Sequence, residues 1–314
     1  MNIQQLRYVF EVARRGLNVS EAAAALHTSQ PGVSKQIRLL EEELGVDVFV
    51  RQGKRLTGVT DPGREVLKIA ERMLGDVDNM RSVGREFGAE ESGTLAIATT
   101  HTQARYVLPP VIRQFMQRHP KVRVSLHQGS PTEVCRFVLS GDADIAIATE
   151  AIGEQDDLVM LPCYQWNRCV IAPPDHPILK AKPLTLEAIA KYPIITYDFA
   201  FTGRSQINKA FAGRGLTPNV VLTAIDADII KTYVALGLGI GIVAYMAYDP
   251  QADKRLRVVD AAHLFESATT RIGVRRNAWL RGYAYGFIEL FAPHLTRRMV
   301  QAALAGEEGS DPGL

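Results

Sequence analysis

The stretch LAIATTHTQARYVLPPVIRQF, starting at Leu95, sets Thr99, Thr100, Thr102 and Gln103 where a short apolar run meets a helical pattern. Hydroxyls and a carboxamide donate hydrogen bonds without supplying a counter-charge. At the carboxyl end of a strand and the amino end of a helix they would stand beside free backbone amides and the positive end of the helix dipole, an arrangement suited to a small anion. Thr149 closes a second apolar run, ADIAIAT, and Thr202 precedes a helical pattern in FTGRSQINKAF. Any one of these threonines could simply cap its own helix. Three donor-rich ends converging on one cleft would make a site. A second group lies near the amino terminus. Gln30, Ser34, Lys35 and Arg38 share the polar face of one helical pattern, and Arg51, Lys54 and Arg55 follow in a short basic segment. Their donors suit base edges and phosphates.

The elements that position these residues follow from periodicity and turn chemistry. In LRYVFEVARRG, Leu6, Val9, Phe10 and Ala13 fall on one helical face, and Gly16 ends the helix. Ser20 is expected to cap a second, alanine-rich helix. TSQPG breaks it, with Thr28 or Ser29 as the next cap and Pro31 in the first turn. The third helix should bury Val33, Ile37, Leu40 and Leu44. DVFVRQ and KRLTGVT then read as a hairpin around Gly53. Three short helices and a basic hairpin make a winged helix-turn-helix, whose third helix enters the major groove.

Asp61 is expected to cap a long helix reaching about Phe87. Val66, Ala70, Met73, Val77, Met80 and Phe87 repeat along it as a heptad stripe, the mark of a dimerising linker. About 25 residues make a rod of roughly 38 Å. From Leu95 onward strands and helices alternate twice as βαβ units, which implies parallel sheets in two lobes. Ligands of such folds sit at the carboxyl ends of the strands.

Bulk properties narrow the function. A chain of 314 residues is long enough for two or three domains. A net charge of +2 supplies no global field toward nucleic acid, so DNA binding must rest on a local surface. The three cysteines have no paired spacing and the histidines are scattered, so neither a disulfide frame nor a metal site is expected. No stretch is long and apolar enough for a membrane span. The amino-terminal residues lack the regions of a signal peptide, which sets the expected location as cytoplasmic. The glycines of GLGIGIVAY follow a helix and precede a strand, the reverse of a dinucleotide loop. With no GxSxG either, an α/β enzyme is disfavoured. A solute-binding protein is disfavoured by the DNA-binding head.

AAAALHTSQPGVSKQIRLLEEELGVDVFVR, with LTGVTDPGREVL after it, resembles the head of LysR-type transcriptional regulators. The matching positions are Ala23, Ala24, Ser29, Gln30, Pro31, Ser34, Leu40, Glu41, Leu44, Gly45, Phe49 and Arg51. Val48 departs from the family's usual leucine. Farther along, IATTHTQARYVLP, HQGSPTEV, ADIAIATEA, LVMLPCYQWNR, PDHPIL, FTGRS, DADIIKTYV and FAPHLTR resemble the CysB-like, sulfur-regulating subgroup.

The resemblance implies an α/β multidomain chain and no enzymatic activity. It divides into a winged helix-turn-helix over residues 1–59, a linker helix over 60–90 and a two-lobed α/β effector-binding domain of periplasmic-binding-protein type over 91–300. Lobe I would take about 91–163 and 267–300, lobe II about 164–266, leaving a polar, disordered tail at 301–314. It implies DNA contacts from Ser29, Gln30, Pro31, Ser34, Lys35, Arg38, Arg51, Lys54 and Arg55. It implies an effector site of Thr100, Thr102, Gln103, Thr149 and Thr202 with the backbone around Trp166, and no metal or other cofactor. The implied effectors are a sulfate- or thiosulfate-like anion, N-acetylserine or O-acetylserine. The implied partners are promoter DNA, further copies of the chain in a homodimer or homotetramer, and RNA polymerase. The implied role is control of sulfur assimilation and cysteine biosynthesis, with sulfonate or sulfate-ester utilisation as the paralogous alternative.

Overall fold

The computed structural model describes residues 1–53, 55–86, 92–149, 157–198 and 204–306. Lys54, Phe87, Thr202 and the tail from 307 onward lie outside the described residues. The chain divides into two units, Met1–Gly88 and Ala89–Leu314.

In the first unit, α1 (Ile3–Arg14), α2 (Val19–Ala25) and α3 (Gln30–Leu44) precede a two-stranded hairpin, β1 (Phe49–Gln52) and β2 (Arg55–Val59), and the long α4 (Asp61–Glu86). Caps and core refine the expectations. Asn18, not Ser20, caps α2, because its side chain accepts from the amides of Ser20 and Glu21. Thr60, not Asp61, caps α4, its hydroxyl accepting from Gly63 N at 2.9 Å. On α1, Tyr8 and Val12 are buried with Leu6 and Val9, while Phe10 is only half-buried. Leu44 is exposed, because α3 ends there and Gly45 turns away at φ 70°. The heptad stripe splits. Ala70 is fully buried in this unit's own core with Val66 packed against it, whereas Met73 and Met80 are exposed. Val66 and Ala70 therefore serve the chain's own packing, contrary to the expected intersubunit role.

Glu41 ties this unit together. It is a buried carboxylate on α3, and its Oε1 accepts from Val48 N at 2.9 Å and Phe49 N at 3.2 Å. Its Oε2 lies 2.6 Å from Arg51 Nη2. One side chain thereby satisfies two amides at the start of the hairpin and anchors the strand that follows. Removing it leaves buried donors and a half-buried guanidinium unpaired.

The second unit holds two five-stranded sheets. Lobe I begins with β3 (Gly93–Thr99), a five-residue π-helical turn over Gln103–Val107, α5 (Leu108–Arg118), β4 (Val122–Gln128), α6 (Pro131–Leu139) and β5 (Ile145–Thr149). After β6 (Leu158–Trp166) the chain crosses to lobe II, which comprises β7 (Arg168–Ala172), α7 (Leu186–Ala190), β8 (Ile194–Tyr197), α8 (Arg204–Ala212), β9 (Val220–Ala224), α9 (Ala227–Ala235), β10 (Ile240–Ala244) and β11 (Arg257–Asp260). It returns through β12 (Ala268–Arg275) to α10 (Gly282–Phe291) and α11 (Arg297–Ala305). The sheet orders are β4-β3-β5-β12-β6 and β11-β7-β10-β8-β9.

In lobe I, β3 pairs parallel with β4 and β5, as the βαβ reading requires, and the returning β12 is antiparallel to β5 and β6. Two boundaries move. Tyr164 to Trp166 belong to the lobe I sheet, so the crossing falls at Asn167 rather than at 164. Residues 301–305 continue α11, which buries Val300, Ala303 and Leu304 in the lobe I core, so they are not part of a disordered tail.

Glu41→Ala is expected to destabilise the first unit by about 3–5 kcal/mol, the scale for breaking a buried ion pair. Arg51→Ala should cost less, because the two amides keep their acceptor. Urea unfolding followed in that unit measures both, and equal losses for the two variants would remove Glu41 as the anchor.

Candidate effector cleft and DNA-reading helix

Strand register places the cleft's polar row. Thr270 on β12 lies opposite Thr149 on β5 and opposite Tyr164 on β6. Its hydroxyl is 3.4 Å from that of Thr149 and accepts from Gln103 Nε2 at 3.1 Å. The Tyr164 hydroxyl donates to Gln103 Oε1, and Trp166 Nε1 donates to Thr149 Oγ1 at 3.3 Å. Gln103 thus fastens the loop after β3 to β12 and β6, and one of its amide hydrogens has no partner among the described residues.

A pocket enclosing about 380 Å³, open solvent included, lies beside this row. Thr100, His101, Thr102, Gln103, Thr149 and Trp166 line it from lobe I, and Tyr197, Ile225 and Ala244 from lobe II. Of the six predicted effector residues the structure brings together Thr100, Thr102, Gln103, Thr149 and Trp166. The indole of Trp166 takes part, beyond the backbone expected there. Thr202 lies outside the described residues. Thr99 is not a ligand candidate, because its hydroxyl donates to Ile147 O at 2.9 Å. Among the described residues the lining carries no carboxylate, and the buried Arg168 guanidinium lies over the Trp166 ring, 5.2 Å from its centre.

Tyr197 and His101 escape the sequence reading. The Tyr197 hydroxyl is buried between Thr102 and the Ala244 backbone and has no partner at full hydrogen-bond geometry among the described residues. Burial pushes it up to about 12, so it stays a neutral donor. His101 Nδ1 is likewise buried without a partner among the described residues. Thr100 O accepts the first helical bond, from Ala104 N at 3.1 Å. The amides of His101 to Gln103 therefore fall in a first helical turn, where donors have no intrahelical acceptor. Hydroxyls and amides aimed at one small volume hold an oxyanion without neutralising it.

The other unit presents α3. Ser29 caps it, accepting from Gly32 N at 3.3 Å, and Pro31 sits in the first turn. Gln30 Nε2 donates to Ser34 Oγ at 3.2 Å. Lys35, Arg38 and, on β2, Arg55 are exposed. Arg51 is engaged with Glu41, which directs part of its guanidinium inward. Lys54 lies outside the described residues.

Residues 3–64 match the family described as bacterial regulatory helix-turn-helix protein, lysR family, and residues 88–296 match the LysR substrate binding domain. The chain belongs to the LysR family. It is a transcriptional regulator and not an enzyme, with a DNA-binding head and an effector-binding domain. The chain is 57% identical over 306 residues to the HTH-type transcriptional regulator SsuR of Burkholderia cenocepacia, covering 98% of each chain. It is 52% identical over 310 residues to the regulator CysB of the same organism, covering 99% of each. The crystal structure of the cofactor-binding domain of the Cbl transcriptional regulator superposes with a TM-score of 0.66 at 45% identity, covering 68% of this chain and 94% of that one. Among the described residues of this LysR regulator, no helix is long and apolar enough to cross a membrane, and no cluster of three His, Cys, Asp or Glu could hold a metal.

Gln103→Leu keeps the bulk and deletes both hydrogen bonds, leaving the Tyr164 and Thr270 hydroxyls short of a partner. The effector-binding unit should lose about 1–3 kcal/mol, read as a lower urea midpoint at unchanged slope. An unchanged midpoint would show that the amide does not hold the loop.

Proposed function

We propose that this LysR regulator controls genes of sulfur assimilation and cysteine biosynthesis in response to a small anionic effector bound between the lobes. A sulfate- or thiosulfate-like anion, N-acetylserine or O-acetylserine fits the cleft's chemistry. The observation that carries the reading is the convergence of Thr100, Thr102, Thr149, Tyr197 and first-turn amides on one pocket with no described carboxylate in its lining. Identities above 50% to regulators named CysB and SsuR support it. Regulation of sulfonate or sulfate-ester utilisation stands beside it as a second reading, because the SsuR relative is at least as similar as the CysB relative.

The effector would act by favouring one arrangement of the lobes, and only as far as it binds that arrangement better. The proposal includes a cytoplasmic homodimer or homotetramer on promoter DNA, with the exposed Met73 and Met80 of α4 in an intersubunit seam. Contact with RNA polymerase at activated promoters completes it. Thr202 remains part of the proposed site, and Lys54 and Arg51 part of the proposed DNA surface.

Two substitutions test the halves separately. Thr100→Val deletes a hydroxyl at nearly constant shape. A hydrogen bond to a charged group is worth about 1.5–3 kcal/mol, so titration calorimetry with sulfate, thiosulfate, N-acetylserine and O-acetylserine should show roughly ten- to a hundred-fold weaker binding of whichever ligand the parent accepts. Unaltered affinity would reduce Thr100 to a helix cap. Arg38→Ala should weaken promoter binding and leave effector binding intact. A phosphate contact predicts a salt slope shallower by about 0.9, whereas a base contact predicts lost discrimination at one base pair. Footprints identical to the parent's across salt concentrations would remove α3 from the interface.

A further inference from the structure

Tyr106 belongs to lobe I by chain position, yet its ring packs against the lobe II core cluster that contains Ile195, Tyr197 and Ile230. Its hydroxyl donates to Asp228 Oδ1 at 2.6 Å, on α9 of lobe II. The adjacent Arg105 Nε reaches Asp228 Oδ2 at 3.2 Å. Lys231, one turn along α9, completes the contact. Its Nζ lies 3.2 Å from Asp228 Oδ1 and 5.0 Å from the centre of the Tyr106 ring. It is held from behind by Asp253 at 3.2 Å and by the Ala247 carbonyl at 3.0 Å. Burial works to raise the Asp228 carboxyl, and the Tyr106 hydroxyl, Lys231 and Arg105 overcome it, keeping the group below the usual carboxylate range. Asp228 is therefore charged and its bond to Tyr106 charge-assisted, which makes it shorter and stronger than a neutral pair.

The contact matters because of where its lobe I partners sit. Arg105 and Tyr106 lie in the π-helical turn Gln103–Val107, whose first residue is the cleft glutamine. In an α-helix, residues three apart share a face. Here Gln103 faces Tyr164 and Thr270 in lobe I while Tyr106 faces lobe II. A π-helical turn is rare and concentrates at functional sites, and this one directs Gln103 to lobe I and both Arg105 and Tyr106 to lobe II.

We propose that Asp228 is a positioning residue of the effector cleft. Through Tyr106 and Arg105 it clasps the π-turn to lobe II, fixing Gln103 and the first-turn amides opposite Tyr197 before any effector arrives. The inference rests on the effector reading of the cleft given above, and it predicts that the clasp sets effector affinity from a residue outside the pocket lining. Arg105 contributes least, since it and Asp228 are solvent-exposed and such pairs are weak.

The test uses the full chain with Tyr106→Phe, which keeps the ring in the lobe II core, Asp228→Ala, and the double variant. Inorganic sulfate is the calorimetric probe, and amide hydrogen exchange across Gln103–Val107 is measured without ligand. Each single change should weaken sulfate binding about ten-fold and speed exchange in the turn about ten-fold, the scale of one hydrogen bond to a charged group. The double variant should be no worse than the stronger single, because one interaction is being removed twice. Asp228→Asn, which retains an acceptor but not the charge, should fall between parent and Asp228→Ala. Multiplying losses in the double variant, or exchange in the turn at the parent rate, would overturn the clasp. If the parent binds no sulfate, sulfate is excluded as the effector of the proposed function, and the exchange rates alone still decide whether Asp228 holds the turn.

Discussion

The effector domain depends on a single carboxamide. Gln103 accepts from Tyr164 on β6 and donates to Thr270 on β12. The loop after β3 is therefore not free to choose its place. Buried hydroxyls on two strands need that amide, and a buried polar group without a partner costs about as much as several ordinary contacts contribute. Cross-strand register sets Thr149 beside the same row, and Trp166 closes it with its indole N–H. Once Gln103 is placed, the amides of the preceding residues and the Thr100 and Thr102 hydroxyls face one volume. The floor of the cleft is thus built from neutral groups that mostly satisfy each other, while among the described residues the Tyr197 hydroxyl and His101 Nδ1 are buried without a partner.

Neutral donors have a consequence for regulation. A cation in the cleft would attract anions of many shapes. In the proposed reading, hydroxyls, a phenol and helix-start amides would hold an oxyanion largely by geometry. Selectivity would then come from matching donor positions, with Arg168, which lies over the Trp166 ring, as the nearby cation. The head uses the opposite strategy. Glu41 places a full negative charge inside the unit, where two amides and Arg51 compensate it. Lys35 and Arg38 stay exposed on α3. Charge against hydrogen-bond donor is turned inward in the first unit to hold the hairpin, and in the proposed reading of the second unit the same chemistry would hold a ligand.

Much of this was legible in the sequence, for reasons that particular residues make clear. Ser29 and Pro31 announce α3 because capping and first-turn proline are local effects. Thr100, Thr102, Gln103 and Thr149 point to a cleft only as a set, since any one of them could cap a helix or, as Thr99 does, bond a neighbouring strand. What stayed hidden depends on distant partners. Glu41 sits in LEEEL and looks like one more charged helix residue, since nothing nearby in sequence shows the two amides it satisfies. Tyr106 reads as part of a helical apolar pattern, and no periodicity reveals that it crosses to Asp228. Tyr197 reads as the last residue of a strand, and its buried hydroxyl becomes visible only when Thr102 of the other lobe is brought against it. Val66 and Ala70 fit a heptad equally well whether the partner helix belongs to the same chain or another, and α1 of the same chain takes them.

On the proposed reading, an oxyanion sits between the lobes at the Thr100 end of the cleft. Selenate is nearly isosteric with sulfate and scatters anomalously, so a crystal structure of the full chain grown with selenate locates the ion without assuming its position. One dominant anomalous peak is expected within hydrogen-bond reach of the Thr100 hydroxyl and the first-turn amides, facing Tyr197. A dominant peak elsewhere, or an empty cleft at saturating selenate, would contradict it.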